Sequence, residues 1–243
     1  MCCFSGPVHV HGTRIFGRLD GSGWQALVYE MKYDASNPVA MVLPLPVDRS
    51  FGDDAVRFVD LSGYPTFFTD LEAGFADLID DADGDFGRGR TLSLPVQRVG
   101  DFEASFVPTV TDFGRLDRRF RIDATVWRSV PGANDAGFAV FQLRPGRFDT
   151  HPMAFGFRTR EPSKVFFPTV HIHDGTVPVE ARFDHVLYMQ ARHGQPRGFE
   201  AGGSARDHVD IRRAQRLVHS QRTVWRRAIV GVTENADVWA MDG

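Results

Sequence analysis

Residues 7–33 constrain the fold more than any other stretch of this chain. The run 7–17 alternates roughly between polar and apolar side chains and carries Val8, Val10, Ile15 and Phe16. That is the period-two pattern of a strand with one buried face. Asp20-Gly21-Ser22-Gly23 is a turn signal, and WQALVYEMKY at 24–33 reads as the returning strand. The chain therefore opens on a hairpin. Further strands are predicted at 91–98, 101–109, 137–143, 152–158, 164–173 and 182–190, and 227–241 reads as strand, turn and strand.

The run VAMVLPLPV at 39–47 is apolar throughout, and Pro44 and Pro46 predict that it lies at a sheet edge or outside the sheet. Helical spacing is clearest at 67–81, where Phe67, Phe68, Leu71, Phe75, Leu78 and Ile79 fall on one face. The Gly-rich stretch 81–90 reads as a loop that lacks the ligand spacing of a calcium site. Short helices are predicted within 111–130, weak helical periodicity runs through 209–228, and 200–208 reads as a flexible joint. The fold class that follows is α+β: a single domain over 1–243, dominated by antiparallel β-sheet with a few helices.

Composition supports a large core. The chain is 42% hydrophobic, and its 21 Phe predict an interior built from phenyl rings. A net charge of −3 predicts no general attraction to nucleic acid or to anionic membranes. No stretch approaches the roughly 18 apolar residues of a membrane-spanning helix, and no secretory signal pattern is visible. A cytoplasmic location is the expectation, in which cysteines persist as thiols or metal ligands. Arginines at 206, 212, 213, 216, 222, 226 and 227 could hold a phosphate or an acidic partner, but are expected to form a solvated face.

Both cysteines stand at positions 2 and 3. Removal of Met1 would expose Cys2 with a free α-amine, placing nucleophile and base on one residue. A nearby cation, with Arg18 the candidate, would favour the thiolate. Cys2 followed by Phe16-Gly17-Arg18-Leu19-Asp20 resembles the start of the N-terminal-nucleophile hydrolases of the choloylglycine hydrolase and penicillin V acylase type. That resemblance implies Cys2 as nucleophile, Arg18 as its electrostatic partner and Asp20 as a substrate-orienting acid. Asp20 stands one position early for that role, and the downstream asparagine motifs of those enzymes are absent. A second, wider resemblance spans about residues 2–175. TRIF, QALVYEM, AMVLPLPV, GFAVFQLRPG, HPMAFGFRT and FFP follow in order, as in an uncharacterised bacterial domain family.

The histidines offer another chemistry. His171 and His173 are two apart on a predicted strand and so share a face. Asp174-Gly175 reads as a turn, with His185 on the return strand. Cys2, Cys3, His171, His173 and His185 are the donors of a possible zinc or copper site, with His9 and His11 as further candidates. A two-residue hairpin would put His185 opposite Lys164, away from the pair, so a bulge or loop would be required to bring it near.

Three functions follow in order. The first is an amide-bond hydrolase using Cys2 and Arg18 on a small-molecule or peptide substrate, without a cofactor. The second is a zinc- or copper-binding protein. The third is a non-catalytic interaction protein. Substrate and oligomeric state are not legible in the sequence.

Overall fold

The computed structural model describes residues 2–75, 96–116, 127, 130, 132–172 and 177–243. Its strands are, in chain order, β1 (Cys2–Phe4), β2 (His9–Leu19), β3 (Trp24–Ala35), β4 (Val39–Leu45), β5 (Val56–Asp60), β6 (Gln97–Val99), β7 (Phe102–Val107) and β8 (Gly137–Leu143). They continue with β9 (Gly146–Asp149), β10 (Met153–Arg158), β11 (Lys164–Phe167), β12 (His171–Ile172), β13 (Glu180–Gln190), β14 (Glu200–Ser204), β15 (Thr223–Glu234) and β16 (Val238–Met241). The α-helix, α1 (Phe67–Ala73), follows β5.

The strands form two main sheets. The first has the order β12-β1-β4-β8-β7-β6. The second has the order β14-β15-β13-β2-β3-β10-β5, with β9 on the far end of β3. Pairings are antiparallel except β1 with β12 and β13 with β2. The opening hairpin is as predicted: Arg14 to Leu19 pair with Glu30 to Gln25. The fold is therefore mostly antiparallel sheet, and strands at 101–109, 137–143, 152–158 and 182–190 stand within two residues of their predicted bounds.

Alternation along the strands explains why so much of the chain is apolar. Odd positions of β4 (Met41, Leu43) and β8 (Phe141) meet Leu27, Tyr29, Phe155 and Leu187 of the second sheet in a central core. The even positions point the other way. Ala40, Val42, Phe138 and Val140 meet Phe113, Leu116 and Trp127 on the outer side of the first sheet. Phe16, Val28, Ala154 and Tyr188 meet Phe67, Phe68 and Leu71 of α1 on the outer side of the second. Strands covered on both faces read as continuous apolar runs rather than as clean alternation.

Three predictions are corrected here. The 39–47 run is not displaced by its prolines: all seven residues of β4 are buried, and it lies between β1 and β8. Among the described residues β1 pairs with Met41 and Val42, and β8 is the strand paired with Pro44. The helix is shorter than 67–81, with Gly74 at its C-cap, and residues 76–81 lie outside the described residues. The stretch 209–228 is not helical: turns fill 211–222 and β15 begins at Thr223. The loop at 81–90 and residues 117–126 of the predicted 111–130 helices lie outside the described residues, and Val110–Arg115 is a 3-10 helix. Residues 200–208 are β14 followed by a 3-10 turn at Ala205–Asp207.

A buried glutamine side chain of the second sheet helps to dock the β11–β16 ribbon on the main body. Gln25, fully buried, donates from Nε2 to the Phe166 carbonyl (2.7 Å) and accepts from the Phe166 amide at Oε1 (2.9 Å). Gln25→Ala removes both partners and strands two buried backbone groups. Loss of about 2 kcal/mol is expected, read as a lower urea midpoint at unchanged slope.

Candidate functional site

The chain begins inside the first sheet. β1 pairs antiparallel with β4 (Cys3↔Val42, Phe4↔Met41) and parallel with β12 (Cys2↔His171, Cys3↔Ile172). Ser5 continues the attachment: its amide donates to the Ala40 carbonyl (2.9 Å) and its Oγ accepts from the Ala40 amide (2.8 Å). Cys3 is 2% exposed and packs in the outer cluster with Val42, Val140 and Ile172.

β12 has two residues and is held in place by side chains of the β15–β16 connection. The His171 amide donates to Asn235 Oδ1 (2.7 Å), and Asn235 Nδ2 donates to the carbonyls of His171 and Pro178 (both 2.9 Å). Asp237 Oδ1 accepts from the amides of Thr169 (2.9 Å) and Val170 (3.0 Å).

His171 and His185 meet across the sandwich, one from each main sheet. Their Nε2 atoms are 3.4 Å apart and their ring centroids 5.0 Å apart. The Phe183 ring closes the group, 4.6 Å from His171 and 5.1 Å from His185. His185 is 1% exposed, and its Nδ1 makes no hydrogen bond. The nearest carboxylate oxygen on that side, from Asp184, is 3.8 Å away, and the other oxygen of Asp184 accepts from the Gly12 amide (2.6 Å). Burial pushes His185 down to about 3, and the neighbouring His171 pushes it the same way. It is therefore an uncharged imidazole at neutral pH.

The structure thus brings together three predicted residues by a different route. His171 and His185 do not share a hairpin; β12 and β13 belong to different sheets, and the two side chains face each other through the core. Cys2 stands beside His171 by strand register. His173 lies outside the described residues, as does the turn at Asp174-Gly175. His9 and His11 lie on the exposed start of β2, opposite Asp34 and Lys32. Among the described residues no three His, Cys, Asp or Glu side chains converge into a metal-holding group.

Arg18 is not brought to β1. It sits in the second sheet on the same side of β2 as Phe16, where its Nε donates to the Leu217 carbonyl (2.8 Å) and its Nη2 to the Arg216 carbonyl (2.7 Å). Gln215 and Arg216 hold φ of 48° and 69°, left-handed values uncommon outside glycine, in the turn that presents these carbonyls. Burial and then Arg222 draw the Arg18 guanidinium below its ordinary range. Asp20 is a turn-forming acid. It accepts from the amides of Ser22 (2.7 Å) and Trp24 (3.2 Å) and closes the β2–β3 hairpin. Burial raises its carboxyl, but the Ser22 and Trp24 bonds together outweigh that and leave it below the usual range.

One polar cluster has no counterpart among the predicted sites. Glu72 of α1 accepts from the Tyr188 hydroxyl and from Arg226 Nη1, while Arg226 Nε donates to Glu200 Oε1 (2.6 Å) and its guanidinium lies over Phe75 (4.5 Å). The Gly203 amide donates to the Gly74 carbonyl (2.9 Å), and His208 Nδ1 stands 2.7 Å from the Asp70 carbonyl. These contacts pin the helix to β13, β14 and β15. The basic run 206–227 concealed this, because composition cannot separate an arginine aimed at a half-buried glutamate from one in solvent.

No protein-family model and no curated protein matches the chain. No helix among the described residues is long and apolar enough to cross a membrane. Among solved structures, the chain is similar to baculovirus P35 at 14% identity, with 96% of this chain and 97% of that chain covered and a TM-score of 0.51. It is also similar to a crystal structure of the caspase-8/P35 complex, at 13% identity with 95% and 96% covered and a TM-score of 0.50. At such identity the likeness establishes the fold alone. It nonetheless overturns both resemblances drawn from sequence, because it runs nearly the full length where the hydrolase motif covered about twenty residues. The amide-hydrolase assignment of Cys2, Arg18 and Asp20 falls with it. The chain has the baculovirus P35 fold.

Proposed function

We propose that this protein is a non-catalytic binding partner of a caspase-type cysteine protease, acting by stoichiometric association. The observation that carries the proposal is the full-length likeness in fold to P35, one of whose structures is a complex with caspase-8. The transfer rests on fold analogy. The sequence adds a compatible feature: residues 80–84, outside the described residues, read Asp-Asp-Ala-Asp-Gly, and caspases as a class cut after aspartate.

The test is titration of purified caspase-8 with the full chain, reading residual peptidase activity and complex formation by size exclusion. Activity should fall in proportion to added chain and vanish near equimolar addition, and a co-eluting complex should appear. Asp83→Ala should weaken this at least tenfold. Neither complex nor loss of activity with caspase-8 and several other caspases at about 10 μM, well above the affinity of a stable protease complex, would end the proposal.

A further inference from the structure

β15 has twelve residues, but β14 pairs with it only from Thr223 to Arg226. From Arg227 to Glu234, β13 is its one strand neighbour, and the opposite edge carries no paired strand among the described residues. Exposed edges are normally blunted by charged side chains or proline, and Ala228–Thr233, between Arg227 and Glu234, contains neither. The edge is also apolar on one face. Val230 is 79% exposed and Val232 60%, with Val179 at 85% beside the strand's end, where its carbonyl accepts from the Asn235 amide.

We propose that this edge is a homodimer interface, in which β15 of one copy pairs antiparallel with β15 of a second copy about a twofold axis at Gly231. A twofold axis perpendicular to a sheet sets one residue opposite itself, which leaves few registers. Centring on Val230 sets Glu234 of the second copy opposite Arg226, where Glu200 of β14 already pairs. Centring on Gly231 ends the pairing at Ala228 opposite Glu234 and leaves β14 undisturbed. In that register Val230 of each copy lies opposite Val232 of the other, so both exposed valines are covered at once. No like charges are set opposite each other. Gly231, with φ 98° and no atom within 4 Å of where a Cβ would stand, leaves room at the axis. An unrelated extended peptide would have no comparable reason to match both valines and this register.

Sedimentation velocity of the full chain from about 1 to 100 μM, a range that brackets modest self-association, tests the interface. Val232→Lys, Val230→Lys and Val230→Thr are compared with the native chain. Both positions are largely exposed, so none of these changes disturbs the core, and matched thermal melts verify that. Native protein and Val230→Thr should dimerise, and each lysine variant should raise the dissociation constant at least tenfold. A chain that is monomeric throughout the range overturns the proposal. So does a dimer that both lysine variants leave unchanged.

Discussion

Acidification from pH 7 to pH 3 should remove about 4–5 kcal/mol of folding stability through His185 alone. In the folded chain His185 takes up its proton only near 3, whereas the ordinary histidine value is 6.5. Between those two values the unfolded chain binds more protons, so lowering the pH pulls the equilibrium toward unfolding. Stability is fully present above about 6.5 and is lost progressively toward 3, at about 1.4 kcal/mol per pH unit. The cause is geometric. His185 is buried against Phe183, its Nε2 faces a second imidazole at 3.4 Å, and its Nδ1 has no hydrogen-bond partner to stabilise a positive charge.

The measurement is a series of urea titrations from pH 7.5 to 3.5 on native protein and on His185→Phe, which fills a similar volume without a titratable nitrogen. His151 is held below its ordinary range by burial and contributes a slope of the same sign, so the difference between the two proteins isolates His185. A difference that stays flat over that range would mean the His171–His185 pair is open to solvent.

Phe141→Ala should cost about 3–5 kcal/mol. Phe141 stands on β8 of the first sheet, fully buried, and its ring meets rings from both sheets. Phe58 lies edge-on at 5.6 Å and Phe155 tilted at 6.0 Å, both from the second sheet, and Phe102 lies edge-on at 6.2 Å from the first. Truncation removes the transfer energy of the ring and leaves a cavity that stiff, mutually packed aromatics cannot collapse into. Phe141→Leu keeps most of the volume and should lose less than half as much. Thermal melts of the two variants check the ratio, and near-equal losses would show that the rings around Phe141 reorganise.

Much of the fold is legible in the sequence because its causes are local. The β2–β3 hairpin follows from the alternation at 7–17 and the Asp20 turn, and β8 occupies the predicted 137–143. The Phe content does announce an aromatic core. Where the sequence reading fails, the decisive contact is distant. β4 reads as an edge because of Pro44, and only its pairing with β1 and β8, strands far from it in the chain, places it inside the sheet. The 209–228 stretch reads as weakly helical, yet its carbonyls at 216 and 217 are held by Arg18, 198 and 199 positions away.

The candidate site divides in the same way. Candidates such as Cys2, Arg18, His171 and His185 can be named from residue type and spacing. Which of them meet cannot, because the sheet that receives each strand depends on pairings between residues far apart in the chain. His171 reaches His185 because β12 joins β1 in one sheet while β13 joins β2 in the other, so their inner faces oppose. Arg18 never reaches β1 because it lies in the other main sheet, on the Phe16 side of β2. By itself, then, the sequence determined strand content, the first hairpin and an interior of phenyl rings, since these depend on neighbours a few residues apart. The tertiary structure alone decided the imidazole pair, the seat of the N-terminal strand and the helix anchor, since each needs two strands or loops to meet in space.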